Sequence, residues 1–252
     1  MTSATSAASP HREPELLGQT VVVIGGSSGI GLETARRARA EGAAVILTGR
    51  KPESLERAAH DLGALSTAAF DANDPAELER FFAGLARPID HVMVTAGRPH
   101  YGRLLAMNID ALRDSLGDRL LLAIQVARAA AGRVRPGGTL VFMSAIEGGH
   151  PTLGSGSVST VAAAFSELIA NLALELAPVR ANLIFAGFTD SPLSASLLGD
   201  ELEKRRDQLR ATLPVGRVIE PADVAALAVH IMANTALTGA SYTIDGGQRL
   251  VE

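Results

Sequence analysis

From residue 20 onward, short apolar runs rich in β-branched residues alternate with stretches whose apolar positions recur at helical spacing. The runs are Thr20–Ile24, Ala44–Thr48, Thr67–Phe70, His91–Thr95, Thr139–Met143, Asn182–Phe185 and Ser241–Ile244. Each is apolar nearly throughout, the pattern of strands covered on both faces in a parallel sheet. Among the helical stretches the clearest carries Val161, Phe165, Leu168, Leu172 and Leu176 as one stripe that stops near Pro178. Pro75 and Pro221 follow Asp74 and Glu220, where first helical turns should begin. Strict alternation of this kind predicts an α/β fold, a doubly wound parallel sheet of about seven strands with helices on both faces. Residues 16–252 read as one domain, without internal repeat or linker. The segment 1–15, MTSATSAASPHREPE, is small, polar and proline-marked, and reads as a flexible tail.

Composition narrows the class. The chain has 252 residues, 47% of them apolar, enough for one large core. Charged residues make up 20% and the formal net charge is −4, which gives no reason to expect nucleic acid as a partner. The longest basic run, Lys204-Arg205-Arg206, is flanked by Glu203 and Asp207 and reads as a solvated helix face. The absence of cysteine excludes disulfides, thiolate catalysis and cysteine-ligated metals, and no metal site is expected. No apolar run reaches membrane-spanning length, and the tail lacks the apolar stretch of a signal peptide. The expectation is a cytoplasmic protein with no membrane association.

The first candidate chemistry follows the first apolar run. Gly25-Gly26-Ser27-Ser28-Gly29-Ile30-Gly31 leads into a helical stretch beginning Leu32-Glu33-Thr34, and a further strand ends near Thr48. In that context glycines allow a tight turn and close approach to a pyrophosphate, whose charge then meets a helix N-terminus. An ordinary strand-to-helix turn is the plain alternative. The second strand ends Leu47-Thr48-Gly49-Arg50-Lys51. A carboxylate at that tip would favour NAD; a guanidinium matches a 2′-phosphate in charge and fork geometry, so NADP(H) is the expected cofactor. Arg50 and Lys51 could equally be solvated loop charges.

These features together resemble the short-chain dehydrogenase/reductase family, over essentially all of residues 16–252. The glycine spacing Gly25…Gly29-x-Gly31 matches that family's loop. The resemblance implies a Rossmann-type fold and the further cofactor contacts Asp71 and Ala72, Ala96 and Gly97 in a Thr95-Ala96-Gly97 turn, and Gly187 and Thr189 in Ala186–Ser191. It also implies that Thr238-Gly239 and Ile244-Asp245-Gly246-Gly247 belong to a last strand that packs at a tetramer interface. A homotetramer is expected, with a dimer as the alternative.

The family's Tyr-x-x-x-Lys pair has no counterpart. The two tyrosines are Tyr101 and Tyr242, and the residues four further on are Leu105 and Gly246. Anchoring on Leu172–Leu176 puts the Tyr slot at Val158, the Lys slot at Ala162, the Ser slot at Ala145 or Ser144, and the Asn slot near Arg119. Ser144 and His150 are the candidate catalytic groups, His150 because imidazole titrates near neutrality. His100, Tyr101, Ser155, Ser157 and Ser159 are further possibilities near the site. Three readings follow: an NADP(H)-dependent oxidoreductase with an atypical active site acting on a small carbonyl or alcohol, a non-catalytic NADP(H)-binding protein, or cofactor-assisted chemistry without net redox.

Overall fold

The computed structural model describes residues 13–146 and 153–251. Seven strands form one sheet, parallel in every pair: β1 (Thr20–Ile24), β2 (Ala44–Gly49), β3 (Ser66–Ala69), β4 (Ile89–Val94), β5 (Val134–Ala145), β6 (Arg180–Ala186) and β7 (Ser241–Ile244). Their order is β3-β2-β1-β4-β5-β6-β7, so the winding direction reverses between β1 and β4. The crossovers are α1 (Gly29–Ala40), α2 (Pro52–Leu62), α3 (Pro75–Ala83), α4 (Ile109–Ala130), α5 (Gly156–Glu175) and α8 (Pro221–Ala233); α6 (Pro192–Leu198) and α7 (Leu202–Thr212) form an excursion after β6.

The continuous apolar runs have a direct cause. In β1, Val22 and Ile24 point into one core with Phe142, Phe165 and Ile169, while Val21 and Val23 point into a second with Leu47, Val141 and Ile231. Both faces need hydrocarbon, so no polar alternation survives. The edge strands depart from that expectation. Ser66, Thr67 and Ala69 of β3 are exposed, and β7 is at best half-buried, because each pairs on one side only. β5 begins at Val134, earlier than its apolar run, since Arg135-Pro136-Gly137-Gly138 interrupts the pattern without ending the strand.

Helix starts follow local chemistry. The Asp74 carboxylate accepts from the N–H groups of Ala76 and Glu77 at 2.9 and 3.1 Å ahead of Pro75, a cap worth about 1 kcal/mol. In α5 the stripe Val161, Phe165 and Leu172 is buried, whereas Ala163, Ala164 and Leu174 face outward. By length and mean hydropathy α5 is the one described helix that could cross a membrane, although Ser166, Glu167 and Asn171 interrupt it. Its packing on α4 and β6 accounts for that apolarity as part of a core.

At the amino edge of the sheet, His91 is 3% exposed. Its Nε2 lies 2.6 Å from Oε1 of Gln19, which accepts, so Nε2 carries the proton and the buried Nδ1 has no partner. Burial first, and then the Arg180 charge, lower its pKa from 6.5 to about 4, against a smaller opposing effect of Asp90. Arg180 spreads over five carbonyl oxygens, those of Gly137, Ile231, Met232, Asn234 and Leu237, tying β6 to the end of α8.

Candidate functional site

The carboxyl ends of β1, β2, β4, β5 and β6 lie along one edge, and the reversal between β1 and β4 opens a crevice there. Gly25 turns out of β1 at φ 94°, and its N–H and that of Gly26 donate to Thr48 O at 3.0 Å. A Cβ at Gly25 would sit 2.6 Å from Thr95 Oγ1, and one at Gly31 would strike the Gly25 carbonyl and the same hydroxyl. These two glycines are therefore the condition for α1 to approach β1 and β4. Ser28 precedes α1 in extended conformation without a side-chain cap, and the first turn carries no acid. The N–H groups of Gly29, Ile30 and Gly31 are left for an external anion.

Other sequence-predicted residues line the same edge. Ser27 lies beside Gly49, where a Cβ would be 3.3 Å from its hydroxyl, so the β2 tip and the glycine loop are neighbours. Arg50 and Lys51 are exposed immediately after that tip. Asp71 follows β3 and accepts from Asn73 N–H at 3.0 Å, while Ala72 is buried. Thr95 donates its hydroxyl to the carbonyls of Ile24 and Gly25, pinning Ala96 and Gly97 against the loop. At the end of β6, Gly187 packs on Asp245, and Thr189 is buried with its hydroxyl donating to Gly187 O at 3.1 Å. A bare helix terminus, a glycine cradle that a Cβ would fill and a cationic β2 tip fit a phosphorylated dinucleotide. When bound, such a cofactor supplies hydride transfer.

Next to the crevice is a smaller cleft. Ser144, buried at the end of β5, and Val158 and Val161 of α5 form one wall; Ser115 and Arg119 of α4 form another, and Arg98, Pro99 and His100 close it. Ala162 is buried one turn beyond Val158. Two contacts hold the 98–102 loop in place: Ser157 Oγ donates to His100 O at 2.9 Å, and Gly102 N donates to Gly154 O at 2.7 Å. Tyr101 is 56% exposed and does not line the cleft. Ser155 and Ser159 pair with each other across the first turn of α5. His150 lies outside the described residues. Among the described residues no cluster of His, Asp or Glu is placed to hold a metal.

Arg119 is the largest polar group of the cleft. Arg119 is partly buried, and desolvation lowers its pKa from the ordinary arginine value. It donates to the Met143 carbonyl at 2.6 Å and packs along Gly97. Sequence reasoning reached Arg119 only as a slot and did not reach Ser115 or Arg98. The start of α6 stands near the glycine loop: Ser191 caps it, a Cβ at Gly29 would lie 3.8 Å from Ser191 and Pro192, and Arg98 donates to Ser196 Oγ at 3.3 Å.

A family profile described as enoyl-(acyl carrier protein) reductase matches residues 24–249. The chain is 30% identical to the NADP-dependent (R)-specific alcohol dehydrogenase of Lentilactobacillus kefiri, over 92% of this chain and 97% of that enzyme. It is 26% identical to a putative ketoacyl reductase of Streptomyces coelicolor, over 91% and 96%. The solved structure of the MalC reductase/Diels-Alderase from Malbranchea aurantiaca matches with a TM-score of 0.86 at 25% identity, covering 94% of this chain and 99% of that one.

Proposed function

We propose, from the premise that this chain belongs to the short-chain dehydrogenase/reductase family, that it is an NADP(H)-dependent oxidoreductase with an atypical reaction centre, acting on a small carbonyl or alcohol. The observation that carries this reading is the pairing of the uncapped, glycine-cradled α1 terminus with a cleft lined by Ser115, Arg119 and Ser144 on the same sheet edge. The loop N–H groups bind the pyrophosphate, and Arg50, with no acidic partner among the described residues, takes the 2′-phosphate. Ala96, Gly97, Gly187 and Thr189 border the nicotinamide end. Ser144 donates a hydrogen bond to the substrate oxygen from the end of β5. Val158 and Ala162 can neither donate a proton nor carry charge, so those two positions do not supply the positioned acid that contributes roughly 10²–10⁴ in rate.

Those two positions favour one competing reading, a nucleotide-binding protein without turnover. Titration with NADPH and NADH, followed by absorbance assays on a carbonyl panel, separates the two. Binding with turnover of any carbonyl supports the oxidoreductase; tight binding with no turnover across the panel supports the binding protein. For assembly we propose a homotetramer, with a dimer as the alternative, built on β7 and the outward face of α5. Light scattering tests it, and a monomer at micromolar concentration would refute it.

A further inference from the structure

Among the described residues, the walls of the smaller cleft carry two arginines and a histidine, Arg98, Arg119 and His100, and no carboxylate. In a chain of net charge −4 that is a local reversal of sign, and a cleft of one sign concentrates its field on whatever enters. Arg119 shows why the charge matters. A buried guanidinium is costly unless its N–H groups and its charge are answered. Arg180 meets that demand with five carbonyl acceptors. Arg119 has one, Met143 O, and forms no ion pair with any described residue. Beside it, the hydroxyls of Ser115 and Ser144 have no hydrogen-bond partner among the described residues. An unanswered cation flanked by two free hydroxyls is a receptor for an anionic oxygen.

We propose that Arg119 is a carboxylate-binding residue and that the substrate of this cleft is a carbonyl compound bearing an acid group, an oxo acid, held by Arg119 with Ser115 while Ser144 meets the carbonyl oxygen. This rests on the oxidoreductase reading above. Arg119 stands near where the resemblance places a neutral Asn, and Ala162 stands where it places the cationic Lys. The positive charge of the site has therefore moved from α5 to α4. From α4 a guanidinium presents a planar fork that suits a carboxylate better than an ammonium does.

The test uses the full chain loaded with NADP⁺ and a graded series of short 2-oxo and 3-oxo carboxylates, each paired with its methyl ester. Binding is read by calorimetry and turnover by NADPH absorbance. Acids are expected to bind about ten- to a hundred-fold tighter than their esters, the equivalent of one charge-assisted contact. Arg119→Gln should erase that difference, and Arg119→Lys should keep part of it. Without ligand, Arg119→Met should leave Tm unchanged or raise it, because the bond to the Met143 carbonyl is the one it gives up, whereas a purely structural arginine would lower Tm when replaced. Equal affinity for acid and ester, no binding of any acid, or a fall in Tm for Arg119→Met overturns the proposal. If acids bind in an Arg119-dependent way but none is turned over, the anion site stands and the oxidoreductase reading fails.

Discussion

On either side of the sheet's reversal the chain solves two different problems. The β1-α1-β2 side builds its site from backbone: loop N–H groups, glycines at Gly25 and Gly31 that no Cβ could replace, and a helix terminus. The β5-α5 side builds from side chains projecting from a frame that accepts many residues. Val158, Ala162 and Ser144 share elements that would hold their shape with other side chains of similar size. A backbone site constrains sequence through geometry and so keeps its signature. A side-chain site can exchange its chemistry while the fold stays the same.

The same substitution should therefore have opposite effects on the two sides. Gly31→Ala forces a Cβ onto the Gly25 carbonyl and within 2.6 Å of Thr95 Oγ1, and neither can withdraw without moving a strand end. We expect a loss of about 3 kcal/mol or more in stability, with at least about a hundredfold loss of NADPH affinity. Gly117→Ala in α4 meets only Leu121 Cδ1, at 3.7 Å, and should stabilise by up to about 1 kcal/mol through helix propensity. Urea denaturation of both variants checks the contrast. Equal effects would mean that the glycine loop is ordinary packing.

Acid asks whether the two sides are one cooperative unit. His91, in the strand at the reversal, is neutral when folded, with a pKa of about 4, whereas the unfolded ring takes a proton near 6.5. Between those values the unfolded chain binds more protons, so stability falls as pH drops through that window and is fully present above it. The loss should approach about 3 kcal/mol. Urea midpoints at neutral pH and near pH 4 measure it, and replacing His91 by Gln should flatten the dependence. NADPH binding and carboxylate binding should disappear at a common midpoint; separate midpoints would show two units.

The third effect is confined to the cofactor side. Arg50→Ala should reduce NADPH affinity by about ten- to a hundred-fold and leave NADH affinity nearly unchanged, since only the 2′-phosphate is lost to it. Fluorescence titration with both cofactors decides it, and an unchanged ratio would return Arg50 to being a solvated loop charge.

What the sequence made legible follows the same division. The parallel sheet, the glycine loop and the proline-led starts of α3 and α8 were readable because each is enforced locally, by burial on both faces, by φ, or by a cap. The exposure of β3 was not, because an edge is a property of the strand order and not of the strand. Ser115 and Arg98 stayed hidden because residues 98, 115, 119, 144 and 158 meet only after three elements have packed. A cation on a mostly amphipathic helix reads as surface until its surroundings are known.

The smallest effect expected is a gain, and it bears on where the site's charge now resides. Restoring the pair as Val158→Tyr with Ala162→Lys puts a phenol on the cleft wall and an ammonium one turn away, both from α5. Position 162 is buried, and the neighbouring cleft already holds the Arg119 cation, so the new lysine meets desolvation and like-charge repulsion together. Both favour the neutral amine, which cannot lower the phenol's pKa. The double variant should therefore reduce simple ketones only up to about tenfold faster than the parent, far below the 10²–10⁴ of a tuned acid. Adding Arg119→Asn removes the competing charge, and the triple variant should exceed the double by a further tenfold or so, with a rate that rises as falling pH protonates the introduced amine, whose charge lowers the phenol's pKa. Stopped-flow NADPH oxidation across pH compares the three. If the double variant alone reaches the full gain, Arg119 exerts no charge on the α5 wall, and the transfer of the site's cation from α5 to α4 is refuted.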